Sequence, residues 1–325
     1  LLSGRRISLS QRGRMQEAMS APKVGGIVRL TGFVIRSSLV MEGIGALCML
    51  PVFCRDFGVS GIWKAIFHSV SAFCNAGFDL MGTPDTPFVS LTAYRADPVI
   101  SLTISALIVI GGIGFLTWDD VRTNRLCFHR YRLQSKVILT STALLILLPT
   151  LYFFFFEFKG VTPQERLLLS LFQSITPRTA GFNTADYTSL SSSGRGLTIL
   201  LMFIGGSPGS TAGGIKTTTI AVLVANAFAV FRRQKSPEMF GRRMEEKAVH
   251  DAAAIFTLYL VLSLTGAFII STVEGLPLSE CLFETTSAIA TVGLSLGLTP
   301  HLGIVSQGIL IFLMFIGRVG GLTMI

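Results

Sequence analysis

FETTSAIATVGL (residues 283–294) is spelled twice more in the same chain, as FHSVSAFCNAGF (67–78) and FQSITPRTAGF (172–182). Each copy opens F-x-[ST]-x-[ST] and closes on Gly followed by Phe or Leu. The closing glycines, Gly77, Gly181 and Gly293, stand 104 and 112 residues apart. Self-similarity at such a spacing is the mark of a repeated structural unit. Between the copies run uncharged apolar stretches, 98–118, 137–156, 196–215 and 252–273, and a mostly apolar stretch holding Arg36 and Glu42 precedes the first copy at 31–53. Each is close to the twenty or so residues a helix needs to cross a hydrocarbon core. The copies themselves are too short to cross, so each reads as a re-entrant segment between two spans. Backbone that leaves the helix at membrane depth is tolerated only where it is buried in protein or lines water.

The composition agrees. The chain has 325 residues, of which 50% are hydrophobic and 14% charged. About a quarter of a soluble domain is charged, so this charge would not cover a globule of the same size. A soluble enzyme and an ordinary nucleic-acid binder are excluded, despite the net charge of +9. The 27 Lys and Arg are gathered. Seven precede the first span (Arg5, Arg6, Arg12, Arg14, Lys23, Arg29, Arg36), five lie at Arg122, Arg125, Arg130, Arg132 and Lys136, and six at Arg232, Arg233, Lys235, Arg242, Arg243 and Lys247. Basic loops resist translocation, which places all three segments on the cytoplasmic side. The opposite connections carry Asp56, Asp79, Asp85, Asp97, Glu157, Asp186 and Glu274, either a cation-gathering vestibule or ordinary loop polarity. Five scattered cysteines without a CxxC and four scattered histidines suggest neither redox nor metal chemistry. The polar, basic opening LLSGRRISLSQR is not a cleavable signal peptide.

A short helix followed by a glycine-centred strand, with its carbonyls turned one way by positive φ, is the physical recipe for a cation selectivity filter. Thr291-Val292-Gly293-Leu294 differs from the first four letters of the potassium-channel TVGYG loop only at its last residue. Thr179-Ala180-Gly181-Phe182 and Asn75-Ala76-Gly77-Phe78 are looser versions. K+ at these backbone carbonyls is the expected ligand set. The chain therefore reads as an all-α polytopic membrane protein of repeated span, pore helix, filter strand, span units. One glycine of this kind could serve helix packing alone; three in one topological slot argue for a filter.

The stretches FHSVSAFCNAGFD (67–79), SITPRTAGFNTAD (174–186), FIGGSPGSTAGGIKTTT (203–219), TSAIATVGLSLGLTP (286–300) and LMFIGRVGG (313–321) resemble the membrane subunits of the Trk/Ktr/HKT potassium-transporter superfamily, most closely the KtrB type. The likeness covers nearly the whole chain. It implies four repeats around one pseudo-fourfold pore, with the first repeat missing here: a linker over 1–30, second, third and fourth repeats over 31–135, 136–247 and 248–325, the last truncated in its final helix. It also implies K+ uptake, passive or Na+-linked, by a homodimer in the cell membrane. A cytosolic nucleotide-binding regulator of KtrA or TrkA type would dock beneath, and no cofactor would sit in this chain.

The run 205–214 (Gly205, Gly206, Ser207, Pro208, Gly209, Ser210, Thr211, Ala212, Gly213, Gly214) cannot stay helical, because Pro removes a donor and Gly costs about 1 kcal/mol per helical position. In the family it resembles an intramembrane gating loop, extended here to Lys216. A phosphate-binding P-loop fails, since Ile215 separates Gly214 from Lys216 and no strand precedes it. Arg318 lies in the apolar last helix, where charge is costly unless paired or facing water. It resembles the family's pore arginine, an interface salt bridge being the alternative. Glu42 reads as a structural partner in an outer span and Glu284 as a dipole partner near the start of a pore helix; Arg178 is either a strut or part of the mouth. Competing functions are a secondary transporter of a small organic solute, a Na+-permeable relative, a membrane enzyme and a non-conducting subunit. Parallel rather than inverted repeats argue against the first, and the absence of clustered His, Asp or Cys argues against an enzyme.

Overall fold

The computed structural model describes residues 13, 16, 26–125, 127–234 and 236–323. Most of the expected 1–30 linker, including Arg5, Arg6, Arg12, Arg14 and Lys23, lies outside them, as does Lys235. Three units follow one another. The first comprises α1 (Ile27–Phe57), α2 (Ser60–Phe73), α3 (Pro98–Gly112) and α4 (Phe115–Asn124). The second comprises α5 (Leu133–Tyr152, continued by a π turn Phe153–Glu157), α6 (Pro163–Ile175), α7 (Ser192–Phe203) and α8 (Thr217–Phe231). A two-stranded hairpin, β1 (Glu238–Met239) and β2 (Arg242–Arg243), leads to α9 (Glu246–Glu274), α10 (Leu278–Ile289) and α11 (Ile304–Thr323).

The helices α1, α5 with its π turn, and α9 are long and apolar enough to cross a membrane, at 31, 25 and 29 residues. Only 22–28% of their most apolar windows is buried within the protein. An apolar surface left uncovered in this way suits lipid. The pore helices α2, α6 and α10 have 14, 13 and 12 residues. At about 1.5 Å per residue they span some 20 Å, too short for the core of a bilayer. Thr162 caps α6, accepting from Glu165 N–H with Pro163 at the first turn, and Asp97 caps α3 in the same way.

The apolar run 98–118 is not one span. It breaks between Gly112 and Phe115, and the two halves bend by 94°. Gly114 takes φ +88° at the corner. The run 196–231 is interrupted over 204–216, as its glycines and Pro208 require.

The repeat motif has a mechanical meaning in all three copies. Its first hydroxyl ties the pore helix to the preceding span. Ser69 donates to Glu42 O at 2.6 Å, Ser174 meets Thr150 Oγ1 at 2.8 Å, and Thr285 meets Ser263 Oγ at 3.5 Å. Its second hydroxyl braces the strand after the helix. Ser71 donates to Phe78 O at 2.7 Å and Thr176 to Phe182 O at 2.6 Å, while Ser287 Oγ accepts from Gly293 N–H at 3.2 Å.

Candidate functional site

Two to four residues after each pore helix ends the chain turns through a left-handed residue: Asn75 (φ 49°), Thr179 (67°) and Thr291 (55°). Two of the three are β-branched, for which positive φ is a genuine strain. Such strain costs of order 1–3 kcal/mol and persists where the surroundings over-determine it, characteristically at functional sites. Two residues later Gly77, Gly181 and Gly293 take φ 70°, 85° and 90°. The pore-helix carbonyls hold these turns: Ala76 N–H donates to Ser71 O and Val292 N–H to Ser287 O, both at 2.9 Å, and Ala180 N–H to Thr176 O at 3.0 Å.

The three strands meet in a regular order. A methyl built on Gly77 would lie 2.3 Å from Ala180 O, and one on Gly181 would lie 2.3 Å from Val292 O. Each glycine thus abuts the carbonyl just before the glycine of the next copy. At Gly293 the same methyl would meet no atom of the described residues within 4 Å. The ring is open on that flank. Of the residues closing the motif, Phe182 and Leu294 are buried while Phe78 is exposed. The carbonyls of Phe78 and Phe182 are those engaged by the Ser71 and Thr176 hydroxyls.

On one side of the glycines lies a cavity of about 700 Å³ whose walls include Gly77, Gly181, Gly293, Asp79, Asp186 and Glu284. On the other side lies the interrupted segment 204–216. Its ends are pinned together by Gly205 N–H to Ile215 O at 2.9 Å and Thr217 N–H to Gly206 O at 3.0 Å. Its middle is docked into the break between α3 and α4. Ser207 N–H donates to Gly112 O, Thr211 N–H to Gly111 O and Phe115 N–H to Gly209 O.

This loop touches the first strand residue of every copy. Asn75 Nδ2 donates to Thr211 Oγ1 at 2.8 Å, and Thr211 Oγ1 donates to Phe73 O at 2.9 Å. Gly214 lies against Thr179, whose Cγ2 would be 3.5 Å from a methyl there. Gly213 lies so close to Thr291 that a methyl would fall 1.9 Å from its Oγ1. Lys216 folds back to donate to Ala212 O at 2.8 Å. Pro208 O is 2.6 Å from the Cβ position of Gly114, and Ser210 Oγ donates to Ser207 O at 2.6 Å.

Arg318 is exposed on α11 and close enough to Lys216 for their like charges to repel. It makes no salt bridge with a described carboxylate. Arg178 is buried, with Thr142 Oγ1 at 3.4 Å as its side-chain partner and Nε unpaired. Glu284 is not near the start of its helix. The helix begins at Leu278, placing Glu284 in its middle, and Glu280 is the carboxylate of the first turn. The amphipathic pattern begins before the motif's phenylalanine, so a helix start read at Phe283 falls a turn late.

Most acids on the connections opposite the basic loops are engaged by groups of the protein itself. Asp97 and Asp186 cap helices, Glu157 binds Ser191, Glu274 binds Gly303 N–H and Ser306, and Asp56 binds Arg55 and Tyr94.

One structural repeat escaped the sequence reading. Ile110-Gly111, Ile204-Gly205 and Ile316-Gly317 stand at the same place in the three returning spans. A methyl on Gly111 would lie 2.1 Å from Phe73 O and one on Gly317 1.9 Å from Ile289 O, where the return helix meets the pore helix end. The spelling I-G-[GR] was the available signal.

Repeated helix–strand hairpins whose strands abut one another, with one interrupted helix touching all three among helices long and apolar enough to cross a membrane, fit a membrane transport protein rather than an enzyme. The chain belongs to the TrkH family of cation transport proteins, whose model matches residues 9–325. It is 39% identical over 337 residues to the potassium/sodium uptake protein NtpJ of Enterococcus hirae, covering all of this chain and 72% of that one. To the Ktr system potassium uptake protein B of Bacillus subtilis it is 37% identical, covering 100% and 73%. The crystal structure of the potassium transporter TrkH from Vibrio parahaemolyticus shares the fold, with a TM-score of 0.76 at 18% identity over 96% of this chain and 68% of that one.

Proposed function

We propose that the chain is the translocating subunit of a potassium uptake system, conducting K+ past backbone carbonyls of residues 75–77, 179–181 and 291–293. The observation that carries this reading is the contact of one loop with Asn75, Thr179 and Thr291 together, at the base of all three strands. A strand with free carbonyls can replace the water shell of K+. The C-terminal ends of α2, α6 and α10, which abut the strands, add roughly half a negative charge each. The loop 205–216 then acts as the gate, and Arg318 with Lys216 sets an electrostatic barrier beneath it. Any fourth strand would enter at the open flank of Gly293, completing the pseudo-fourfold ring over the units 31–135, 136–247 and 248–325.

The names of NtpJ and of the Ktr proteins support K+ uptake, with Na+ as a second permeant or coupled ion. The Ktr names support assembly with further subunits. On this reading the protein is a homodimer in the cell membrane with its basic loops inside, above a nucleotide-binding regulator. Rubidium uptake by the full protein in cells lacking their own K+ uptake tests the filter. Gly293→Asp should abolish it, and unchanged uptake would remove the assignment.

A further inference from the structure

Directly behind its leading phenylalanine each pore helix carries one polar side chain, His68, Gln173 or Glu284, exposed by 0%, 0% and 4%. A buried polar group is costly unless hydrogen-bonded. His68 Nδ1 lies 2.7 Å from Lys64 O, and a carbonyl can only accept, so Nδ1 carries the proton. Nε2 is then bare and accepts from Leu80 N–H at 3.3 Å. Lys64, one turn earlier, donates to Leu80 O, so this residue is gripped at both its amide and its carbonyl.

Glu284 does the corresponding work in the last copy. Its Oε1 accepts from Leu296 N–H and Ser295 Oγ, both at 2.8 Å, and its Oε2 accepts from Thr299 Oγ1 at 2.7 Å. Leu80 and Leu296 occupy one register, three residues past Gly77 and Gly293. Among the described residues no Lys, Arg or His lies within ion-pair reach of Glu284. In the middle copy neither amide atom of Gln173 has a partner among the described residues, and neither has Thr184 Oγ1, three residues past Gly181.

We propose that Glu284 is a specificity-determining residue at the outer end of the pathway, fixing the backbone beyond Gly293 and holding an uncompensated negative charge at the wall of the vestibule. His68 supplies the positioning without the charge. This rests on the filter reading above. A carboxylate lacking a protein counter-ion at a cavity wall raises the local concentration of cations there, and a rigid strand end keeps the carbonyls spaced for one ion size.

The test is rubidium uptake against concentration, with and without competing Na+, for the full protein with its partner subunits. Glu284→Gln should raise the half-saturating concentration roughly tenfold and lower the preference over Na+, leaving the maximal rate within about twofold. His68→Gln should lower the preference alone. Cys281→Ala, buried in the same helix, should leave both quantities unchanged even where it reduces the amount of protein. Wild-type half-saturation and preference in Glu284→Gln would overturn the proposal, as would an equal shift in Cys281→Ala. Should Glu284→Gln not reach the membrane, Gln173→Glu carries the test. A second carboxylate in that register should lower the half-saturating concentration, and an unchanged or raised value would overturn the proposal. If Gly293→Asp is inactive and Glu284→Gln behaves as wild type, only this inference falls; if Gly293→Asp conducts normally, the filter reading falls first.

Discussion

Replacing Thr211 by Val should loosen the loop from the filter and raise passive flux. The substitution keeps the side-chain shape and removes one hydroxyl. That hydroxyl donates to Phe73 O at 2.9 Å and accepts from Asn75 Nδ2 at 2.8 Å. A net hydrogen bond is worth about 1 kcal/mol. Asn75 Oδ1 already lacks a partner among the described residues, so the mutation leaves the whole amide without one of them while the loop is seated. Losing both bonds weakens the seated state by about 2 kcal/mol, since a displaced loop lets water satisfy the same groups. That is about a 30-fold shift in the seated-to-displaced ratio. The assay is rubidium flux into proteoliposomes without a regulatory subunit, normalised to reconstituted protein. Flux should rise toward that factor, saturating once the displaced state dominates, and Thr211→Ser should stay near wild type. Flux in Thr211→Val equal to that in Thr211→Ser, at equal protein, would refute the idea that this contact holds the gate.

Three further substitutions test the same geometry. Gly181→Ala combines a left-handed φ with a methyl 2.3 Å from Val292 O, so it should abolish selective uptake. Gly293→Ala should be as severe if another carbonyl sits at its open flank in the assembled protein; a distinctly milder loss of K+ preference would show that none does. Arg318→Gln removes one of two neighbouring cations beside the loop. It should raise the maximal rubidium rate several-fold without changing thermal stability in detergent, whereas wild-type rate with lost folding would assign Arg318 to an interface.

The repeat was legible because hydroxyl, phenylalanine and glycine recur together in register, and the two hydroxyls have separate mechanical uses. Ser69, Ser174 and Thr285 fasten the pore helices to the spans before them, while Ser71, Thr176 and Ser287 brace the strands. The interruption over 205–214 was legible because Gly and Pro act locally. The 94° break at 112–115 was not, since Gly111, Gly112 and Gly114 sit among Ile and Leu. Mean hydropathy records the absence of charge but not the direction of the backbone. Its cause is tertiary. The carbonyls of Gly111 and Gly112, and the amide of Phe115, are spent on the loop 207–211 instead of a continuous helix. The middle placement of Glu284 was missed because its helix starts at Leu278, ahead of the motif, and its partners at 295–299 were hidden because they lie beyond the strand that the motif ends on.

The returning spans show how one position acquires three uses. After the shared isoleucine, Gly111, Gly205 and Gly317 leave room for a carbonyl that a side chain would displace. The next residue differs: Gly112 gives its carbonyl to Ser207, Gly206 accepts from Thr217, and Arg318 projects a charge beside Lys216. The first unit therefore bends, the second unwinds, and the third stays helical and charged. The loop made by the second is seated in the bend of the first and neighbours the charge of the third. Displacing the loop must therefore disturb all three units at once. In the gating role proposed above, movement of any returning helix would act on the loop, and the bent α3–α4 pair, whose broken peptide groups the loop itself satisfies, is the element whose straightening would release it.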